Sequence, residues 1–232
     1  MYLRKSAIEE YDFCPYKFKL TYIDGVQKTP NYRMLVGTRF HDFAYWFFDI
    51  CQGIDPARWA ELTPNDYTDE ERAMCAWFIE QELARFHELN DDFTVFMPVH
   101  REIKLIDDVR RLTGTCDRID WWCKDKGEMV IVEYKTGGSF KKSSIVRQLA
   151  FYKLLVDSGI KTGSIVKMKY INPRTRDVQV IDVNQKQIDK VLAKIMDIRD
   201  AIQNNIYPRK CNYVKYAICG VCSPNECGVY PE

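Results

Sequence analysis

The chain has 232 residues, and its 34 lysines and arginines against 33 aspartates and glutamates give a formal net charge of +1. This balance excludes a strongly basic protein that coats nucleic acid, so any nucleic-acid binding would depend on a local basic groove. Hydrophobic residues make up 46% of the chain, but no apolar run approaches the roughly 20 residues that span a bilayer. The first residues lack the apolar core of a signal peptide, so we expect a folded protein of the cytoplasm.

Apolar residues at helical spacing dominate the first part of the chain. A capping-box sequence at residues 6–9 predicts that the first helix begins at Ser6. The proline that follows Cys14 predicts a break, or a new first turn, at that point. Residues 32–51 and 64–89 carry two further helical patterns.

The period then changes to that of strands. Three consecutive strands, at 99–107, 110–123 and 128–136, are separated by short turns suited to antiparallel hairpins. A helix at 145–159 leads to two more strands, and a long helix at 184–204 precedes a cysteine-rich end. This order predicts an α/β fold in which helices flank a mixed sheet, with an antiparallel meander extended through a helical crossover.

The third strand ends in two opposite charges. Glu133 and Lys135 are two positions apart and therefore share a face, and hairpin pairing would bring Asp117 beside Glu133. Two close carboxylates repel each other, and a hard divalent cation such as Mg²⁺ or Mn²⁺ relieves that repulsion. A nearby lysine can orient water or stabilise charge on a phosphate, which suits phosphodiester hydrolysis. The alternative is an exposed ion pair of little energetic value.

Four short motifs, spread in order over residues 37–152, resemble the PD-(D/E)XK nuclease superfamily and in particular its RecB-like branch. They are GTRFHDF with His41, GTCDRID with Asp117, VEYKTG with Glu133 and Lys135, and QLAFY with Gln148 and Tyr152. The resemblance implies a restriction-endonuclease-like core. It also implies a metal bound by His41, Asp117, Glu133 and the Tyr134 backbone carbonyl, with Lys135 as the catalytic lysine.

The helix after the third strand carries the candidate DNA contacts. By the same resemblance, Gln148 and Tyr152 share one helix face and help to position the nucleic-acid strand. The preceding loop and first turn offer Lys141, Lys142 and Arg147, where backbone amides also favour phosphate. The alternative for these cations is a solvated surface.

Two further acidic residues compete as metal ligands. Asp120 is an odd number of positions from Asp117 and should face away from it, towards Arg118 or another cation. Glu102 lies on the preceding strand and is expected to support the ligands instead of binding the metal.

The chain contains nine cysteines, many for a compartment in which disulfides are rarely maintained. Small, buried roles are expected for the four that are scattered through apolar patterns, Cys51, Cys75, Cys116 and Cys123. Cys219, Cys222 and Cys227 have metal-ligand spacing but lack a fourth thiolate, for which Cys14 and Cys211 are the candidates.

This cysteine pattern resembles a subgroup of RecB-like nucleases that includes AddB nuclease domains and CRISPR-associated Cas exonucleases. The resemblance implies a [4Fe-4S] cluster held by Cys14 and the last three cysteines. Thiolate spacing alone does not exclude zinc, which is the alternative. Such a site would join the two ends of one nuclease domain over 1–232. That domain comprises a helical part (1–95), the catalytic sheet and helix (96–183) and a C-terminal clasp (184–232).

The leading hypothesis is a metal-dependent DNA nuclease, an exonuclease acting on single strands or DNA ends in recombination, repair, phage replication or CRISPR adaptation. A second hypothesis is a non-catalytic, DNA-binding subunit of a helicase-nuclease or spacer-acquisition complex. A third is a restriction-type endonuclease on the same fold. No phosphate loop of an ATP-driven motor occurs, so a helicase would have to be a separate partner.

Overall fold

A computed structural model describes residues 1–26, 31–138, 142–160, 163–210 and 219. Its α-helices are α1 Lys5–Phe13, α2 Pro15–Phe18, α3 Tyr32–Ile50, α4 Asp69–Glu88, α5 Phe93–Phe96, α6 Lys142–Gly159 and α7 Gln185–Gln203. Its strands are β1 His100–Asp107, β2 Leu112–Cys123, β3 Glu128–Tyr134, β4 Ser164–Asn172 and β5 Asp177–Ile181. Within the described residues, no helix combines the length and apolarity needed to cross a membrane.

The start of the first helix differs from the sequence-based expectation. The helix begins at Lys5, its N-cap is Arg4, and no side chain caps it. The Ser6 hydroxyl instead accepts a hydrogen bond from the Tyr22 hydroxyl at 2.9 Å. A tertiary contact therefore replaces the predicted capping box. The predicted break at Cys14 is confirmed, since Cys14 is extended between α1 and α2.

The five strands form one sheet in the order β1-β2-β3-β4-β5. The first three are antiparallel neighbours, β3 and β4 are parallel, and β5 returns antiparallel to β4. A parallel pair needs a crossover connection, which α6 supplies. The predicted mixed sheet with a helical crossover is confirmed, and β3 is its central strand.

Helices cover both faces of the sheet. One hydrophobic core lies between the sheet and α1, α6 and α7, and the other lies between the sheet and α3 and α4. Side chains alternate along β3, so Ile131 belongs to the first core while Val132 and Tyr134 belong to the second. Burial on both faces fixes the position of β3, and therefore the position at which its last side chains emerge.

Candidate metal centre

The candidate metal centre lies at the carboxyl end of β3. Antiparallel pairing aligns Arg118 of β2 with Val132 of β3. The same register, continued by one residue, brings Asp117 opposite Glu133. Asp117 Oδ2 accepts a 2.7 Å hydrogen bond from the Tyr134 backbone N–H. This bond fixes the orientation of the carboxylate, so that its second oxygen, Oδ1, faces His41.

The second oxygen of Asp117 belongs to a cluster of three candidate ligands. One ligand atom each of His41, Glu102 and Asp117 lies within 4.8 Å of the others. His41 Nδ1 is 3.5 Å from Glu102 Oε1 and 3.6 Å from Asp117 Oδ1. Imidazole nitrogen and carboxylate oxygens are donors that Mg²⁺ or Mn²⁺ can accept, so the donor set fits a divalent cation.

Glu133 is held from several sides. Its Oε1 accepts hydrogen bonds from Lys135 Nζ and Gln148 Nε2, and Lys5 Nζ lies 3.7 Å from the same oxygen. Its side chain is only 3% exposed, and its Oε2 has no hydrogen-bond partner in the described part of the chain. A buried carboxylate oxygen without a partner is costly unless another group binds it, so Glu133 offers an unused oxygen near the cluster, although it is not one of the three clustered ligands.

Lys5 was not identified from the sequence. A lysine in the first turn of a helix normally extends into solvent, whereas the side chain of Lys5 is 19% exposed and faces Glu133. Burial lowers the pKa of Lys5, and the positive charge of Lys135 acts in the same direction, against the attraction of Glu133. Two lysines from different elements therefore approach one carboxylate.

The electrostatics of the cluster reflect crowded carboxylates. Burial raises the pKa of Asp117 to about 7, and the charge of Glu133 adds to that effect. Burial alone would lower the pKa values of His41 and Lys135. The Glu102 hydrogen bond and the carboxylates raise that of His41, and Glu133 and Asp117 raise that of Lys135. The site favours bound positive charge.

Two glycines allow other elements to approach the site closely. A Cβ atom on Gly37 would lie 3.2 Å from Thr136 Oγ1, so glycine lets α3 pack against the segment after Lys135. A Cβ atom on Gly114 would lie 3.0 Å from Leu155 Cδ1 and 3.3 Å from Tyr152 Cε1. Both glycines belong to the sequence motifs, and their contacts lie at Thr136, directly after Lys135, and at Tyr152.

The predicted DNA contacts fall into different environments. Gln148 and Tyr152 are buried beside the site: Gln148 binds Glu133, and the charges of Glu133 and Asp117 add to burial in raising the pKa of Tyr152. Lys142 is exposed at the start of α6. Arg147 donates to Asp12 of α1. Lys141 lies outside the described residues.

The two acidic residues that compete as metal ligands, Asp120 and Glu102, lie in different environments. Asp120 Oδ2 lies 2.9 Å from Arg118 Nη2 and 3.7 Å from Arg85 Nη1, which confirms its expected pairing with Arg118. Glu102 lies nearer the centre than the sequence indicated, because it is one of the three clustered ligands. Its φ of 45° places it in the left-handed region, and no pairing register includes it between Arg101 and Ile103. This irregularity was not apparent from the strand pattern.

The cysteines in the described residues fall into two groups, those expected to have small, buried roles and those predicted as cluster ligands. Cys51, Cys75 and Cys116 are buried, and Cys123 is half-buried. Burial raises the pKa of the Cys51 and Cys75 thiols to about 12, as expected of inert core residues. Cys14 and Cys219 are also buried. Three of the predicted cluster residues, Cys211, Cys222 and Cys227, lie outside the described residues.

The match to a known family agrees with this geometry. The family model of the PD-(D/E)XK nuclease superfamily matches residues 5–227. The chain therefore belongs to the PD-(D/E)XK nuclease superfamily, which makes it a nuclease by class. The search of curated proteins found no match.

Replacing Asp117 by asparagine should stabilise the metal-free protein at pH 8 and reduce its stabilisation by Mg²⁺ or Mn²⁺. The folded-state pKa of Asp117 is about 7 against an ordinary 3.8. The wild-type protein therefore loses stability as the pH rises through that window. Asparagine keeps an oxygen for the Tyr134 N–H but carries no charge. The gain in stability over wild type should therefore be smaller at pH 5, where Asp117 of the folded wild type is itself mostly uncharged.

Thermal unfolding with EDTA or with excess cation measures both effects. A cation at 100 times its Kd stabilises a protein by about 2.7 kcal/mol, which should be evident for wild type and much smaller for the variant. Asp125→Asn, in the exposed turn before β3, should respond like wild type. Equal stabilisation of Asp117→Asn and wild type would show that Asp117 does not bind the cation.

Proposed function

We propose that this protein is a metal-dependent deoxyribonuclease of the RecB-like branch, an exonuclease acting on single-stranded DNA or DNA ends. The observation that carries the proposal is the clustering of His41, Glu102 and Asp117 next to the Glu133 and Lys135 pair. Membership of the nuclease superfamily supports hydrolysis of phosphodiester bonds. The proposed settings are recombination, repair, phage replication or CRISPR adaptation in the cytoplasm.

The proposed ligands of Mg²⁺ or Mn²⁺ are His41, Asp117, Glu133 and the Tyr134 backbone carbonyl, with Glu102 as an additional donor. A bound divalent cation would polarise the phosphate and lower the pKa of water. Asp117 is oriented by the Tyr134 N–H, and His41 is held beside Glu102 and Asp117. These contacts would fix the ligand atoms before the substrate arrives, which reduces the cost of reorganisation.

Lys135 is the proposed catalytic lysine. Its Nζ donates to Glu133 Oε1, which holds the ammonium group at the edge of the ligand cluster. There it can orient an attacking water and stabilise the negative charge that develops on the phosphate. Gln148 restrains the same carboxylate oxygen, so we assign Gln148 a positioning role. Lys5 contributes a second positive charge close to that oxygen.

A basic groove beside α6 is the proposed path for the DNA backbone. Lys142 and Arg147 line this groove of about 680 Å³ together with Lys190 and Lys194 of α7. Asp12 also lines the groove and pairs with Arg147 and Lys194, which reduces the local positive charge. Phosphate contacts of this kind would position a strand without reading its sequence. Lys141 remains a proposed contact on this path, and Gln148 and Tyr152 remain proposed to position the strand from beside the metal centre.

We further propose a [4Fe-4S] cluster held by Cys14, Cys219, Cys222 and Cys227, with Cys211 as an alternate ligand and zinc as the alternative metal. In support, Cys14 and Cys219 are 4% and 3% exposed. The Lys210 backbone N–H lies 3.5 Å from Cys14 Sγ, so the chain directly before Cys211 reaches the N-terminal cysteine. Stacking of Tyr207 on Phe18 and of Arg209 on Tyr16 joins the same two segments.

Replacing Cys219 by serine should remove most of the protein-bound iron or zinc. The matched control is Cys123→Ser, because Cys123 is half-buried at the end of β2 and outside the proposed ligand set. Metal analysis together with visible absorption after anaerobic purification measures the effect and separates an iron-sulfur cluster from zinc. Wild-type protein without stoichiometric iron or zinc would contradict the proposed cysteine site.

The second candidate is a non-catalytic, DNA-binding subunit of a helicase-nuclease or spacer-acquisition complex. Asp117, Glu133 and Lys135 are all present and lie close together at the end of β3, which favours catalysis. As a nuclease, the protein could still work with a helicase or a CRISPR adaptation partner. We also propose that residues 1–232 act as one nuclease domain.

Cleavage of matched DNA substrates tests the proposed function. The substrates are single-stranded and duplex DNA, each as a sealed circle and as a linear molecule labelled at the 5′ or 3′ end. We expect cleavage with Mg²⁺ or Mn²⁺, none with EDTA, and a preference for linear single strands. Efficient cutting of sealed duplex circles would favour the restriction-type endonuclease, and no cleavage of any substrate would favour the non-catalytic subunit.

A further inference from the structure

A groove of about 800 Å³ follows the outer face of α3 and passes the candidate metal centre. We call it the α3 groove. His41 and Glu102, two of the three clustered ligands, line it together with Met34, Tyr45 and Trp46. On α3, Met34 precedes His41 by about two turns, and Tyr45 and Trp46 follow His41 by about one turn. The groove therefore continues from the centre in both directions along the helix.

The aromatic side chains in the α3 groove are held in place. Tyr45 is 42% exposed, and the guanidinium of Arg101 lies 4.6 Å from the centroid of its ring. Arg101 also donates to the Tyr45 carbonyl and, at 2.6 Å, to Asp49. The Trp46 ring packs edge-on against Phe43 at 5.1 Å. Rings restrained in this way lose little conformational entropy when a flat ligand stacks on them.

The charge of the α3 groove favours bases over phosphates. No lysine or arginine occurs among the described side chains that line it, whereas the carboxylates of Asp42 and Glu102 do. The Arg101 guanidinium on the Tyr45 ring is paired with Asp49. The Asp42 carboxylate, which is not among the proposed metal ligands, would repel a phosphate backbone but can accept hydrogen bonds from the amino groups of bases. Every base also offers a π-face for stacking on aromatic side chains, and that face is available only in an unpaired strand.

We propose that the α3 groove receives unpaired nucleobases on either side of the phosphate that is cut. This inference rests on the proposed nuclease function and deepens it, because it makes single-stranded DNA the substrate at the point of cleavage. Tyr45, Trp46 and Met34 contact the bases, while the phosphate faces Lys135 at the metal centre. A base-paired duplex does not fit this arrangement, because its bases stack on one another and its charged backbones lie outside.

Binding of intact and abasic strands tests this proposal. A fluorescent single-stranded oligonucleotide is compared by anisotropy with one that has the same phosphates but several abasic sites, both with Ca²⁺ in place of Mg²⁺. Wild type should bind the intact strand at least about tenfold more tightly than the abasic strand. Tyr45→Ala and Trp46→Ala should lose most of that preference while binding the abasic strand as wild type does.

Two further variants keep the test decisive if Trp46→Ala does not fold. Met34→Ala removes an exposed side chain from the other end of the α3 groove and should weaken the same preference. Trp122→Leu is the matched control, because Trp122 is exposed on β2 and does not line the α3 groove. Equal binding of intact and abasic strands by wild type, or an unchanged preference in folded Tyr45→Ala, would overturn the proposal.

The outcomes separate this inference from the proposed function. Metal-dependent cleavage without a preference for intact strands would overturn the α3 groove proposal and leave the nuclease assignment standing. A preference that depends on Tyr45, without cleavage under any metal condition, would support the groove as a base-binding site and contradict the nuclease function. A blunt duplex that competes as well as a single strand would also overturn the groove proposal.

Discussion

Replacing Lys135 by methionine should lower the rate of Mg²⁺-dependent DNA cleavage by about 10²–10⁴-fold, the range for loss of a charge-stabilising or proton-transferring group. Lys135 Nζ donates to Glu133 at the edge of the ligand cluster. Methionine keeps much of the side-chain volume and removes the charge. Single-turnover cleavage of an end-labelled single strand measures the chemical step.

Two controls separate chemistry from folding and from DNA binding. Lys167→Met removes a surface lysine that pairs with Asp182 at 2.8 Å, and it should cleave at the wild-type rate. The Kd of Lys135→Met for a single strand in Ca²⁺ should stay within about threefold of wild type if the lysine acts mainly in the transition state. Wild-type cleavage by folded Lys135→Met would contradict the proposed mechanism.

Replacing Arg118 by methionine should lower the free energy of unfolding by about 3–5 kcal/mol at pH 7, because it breaks a buried ionic network. Arg118 is 1% exposed. Its Nη1 bonds to Glu82 at 2.8 Å, and its Nη2 lies 2.9 Å from Asp120. The variant leaves two buried carboxylates opposed mainly by Arg85. Urea unfolding followed by circular dichroism measures the loss.

The pH dependence provides a second check on this network. Burial alone would raise the pKa of Glu82, but Arg118 and Arg85 outweigh burial and lower it to about 2 from an ordinary 4.5. The stability that ionised Glu82 gives the wild-type protein is therefore fully present above pH 4.5 and declines as the pH falls towards 2. The difference between wild type and Arg118→Met should shrink over the same range.

Arg58→Met is the matched control for the network. Arg58 forms an exposed pair with Glu61 at 2.7 Å, and its removal should leave the free energy of unfolding unchanged within experimental error. Adding Glu82→Gln and Asp120→Asn to Arg118→Met should recover part of the lost stability by removing the uncompensated charges. A fully stable Arg118→Met protein would show that the network is not required for folding.

Local patterns predicted much of the catalytic strand and its neighbours. The two-residue period placed Glu133 and Lys135 on one face and Tyr134 on the other, and the structure confirms both. The short turn before β3 placed Asp117 near Glu133, because hairpin register depends on turn length. The order of strands and the α6 crossover were also correct.

Contacts between distant segments could not be predicted in the same way. Ser6 has the sequence of a cap, but its hydroxyl binds Tyr22. Lys5 has the position of an exposed helix-start residue, but the packing of α1 brings it to Glu133. Glu102 joins the ligand cluster where a left-handed backbone interrupts strand pairing. Each contact depends on packing geometry that local periodicity does not contain.

The amino-acid sequence by itself determined the succession of helices and strands, the charged end of β3 and the likeness to a nuclease family. These features are encoded within short windows, where propensity, turn length and side-chain period act. Only the tertiary structure decided which charges share the centre, which cations are neutralised by partners, and where an aromatic groove opens beside His41. Those outcomes depend on how α1 and α3 pack against the sheet and how β1 pairs within it, because side chains far apart in sequence interact only after that packing has formed.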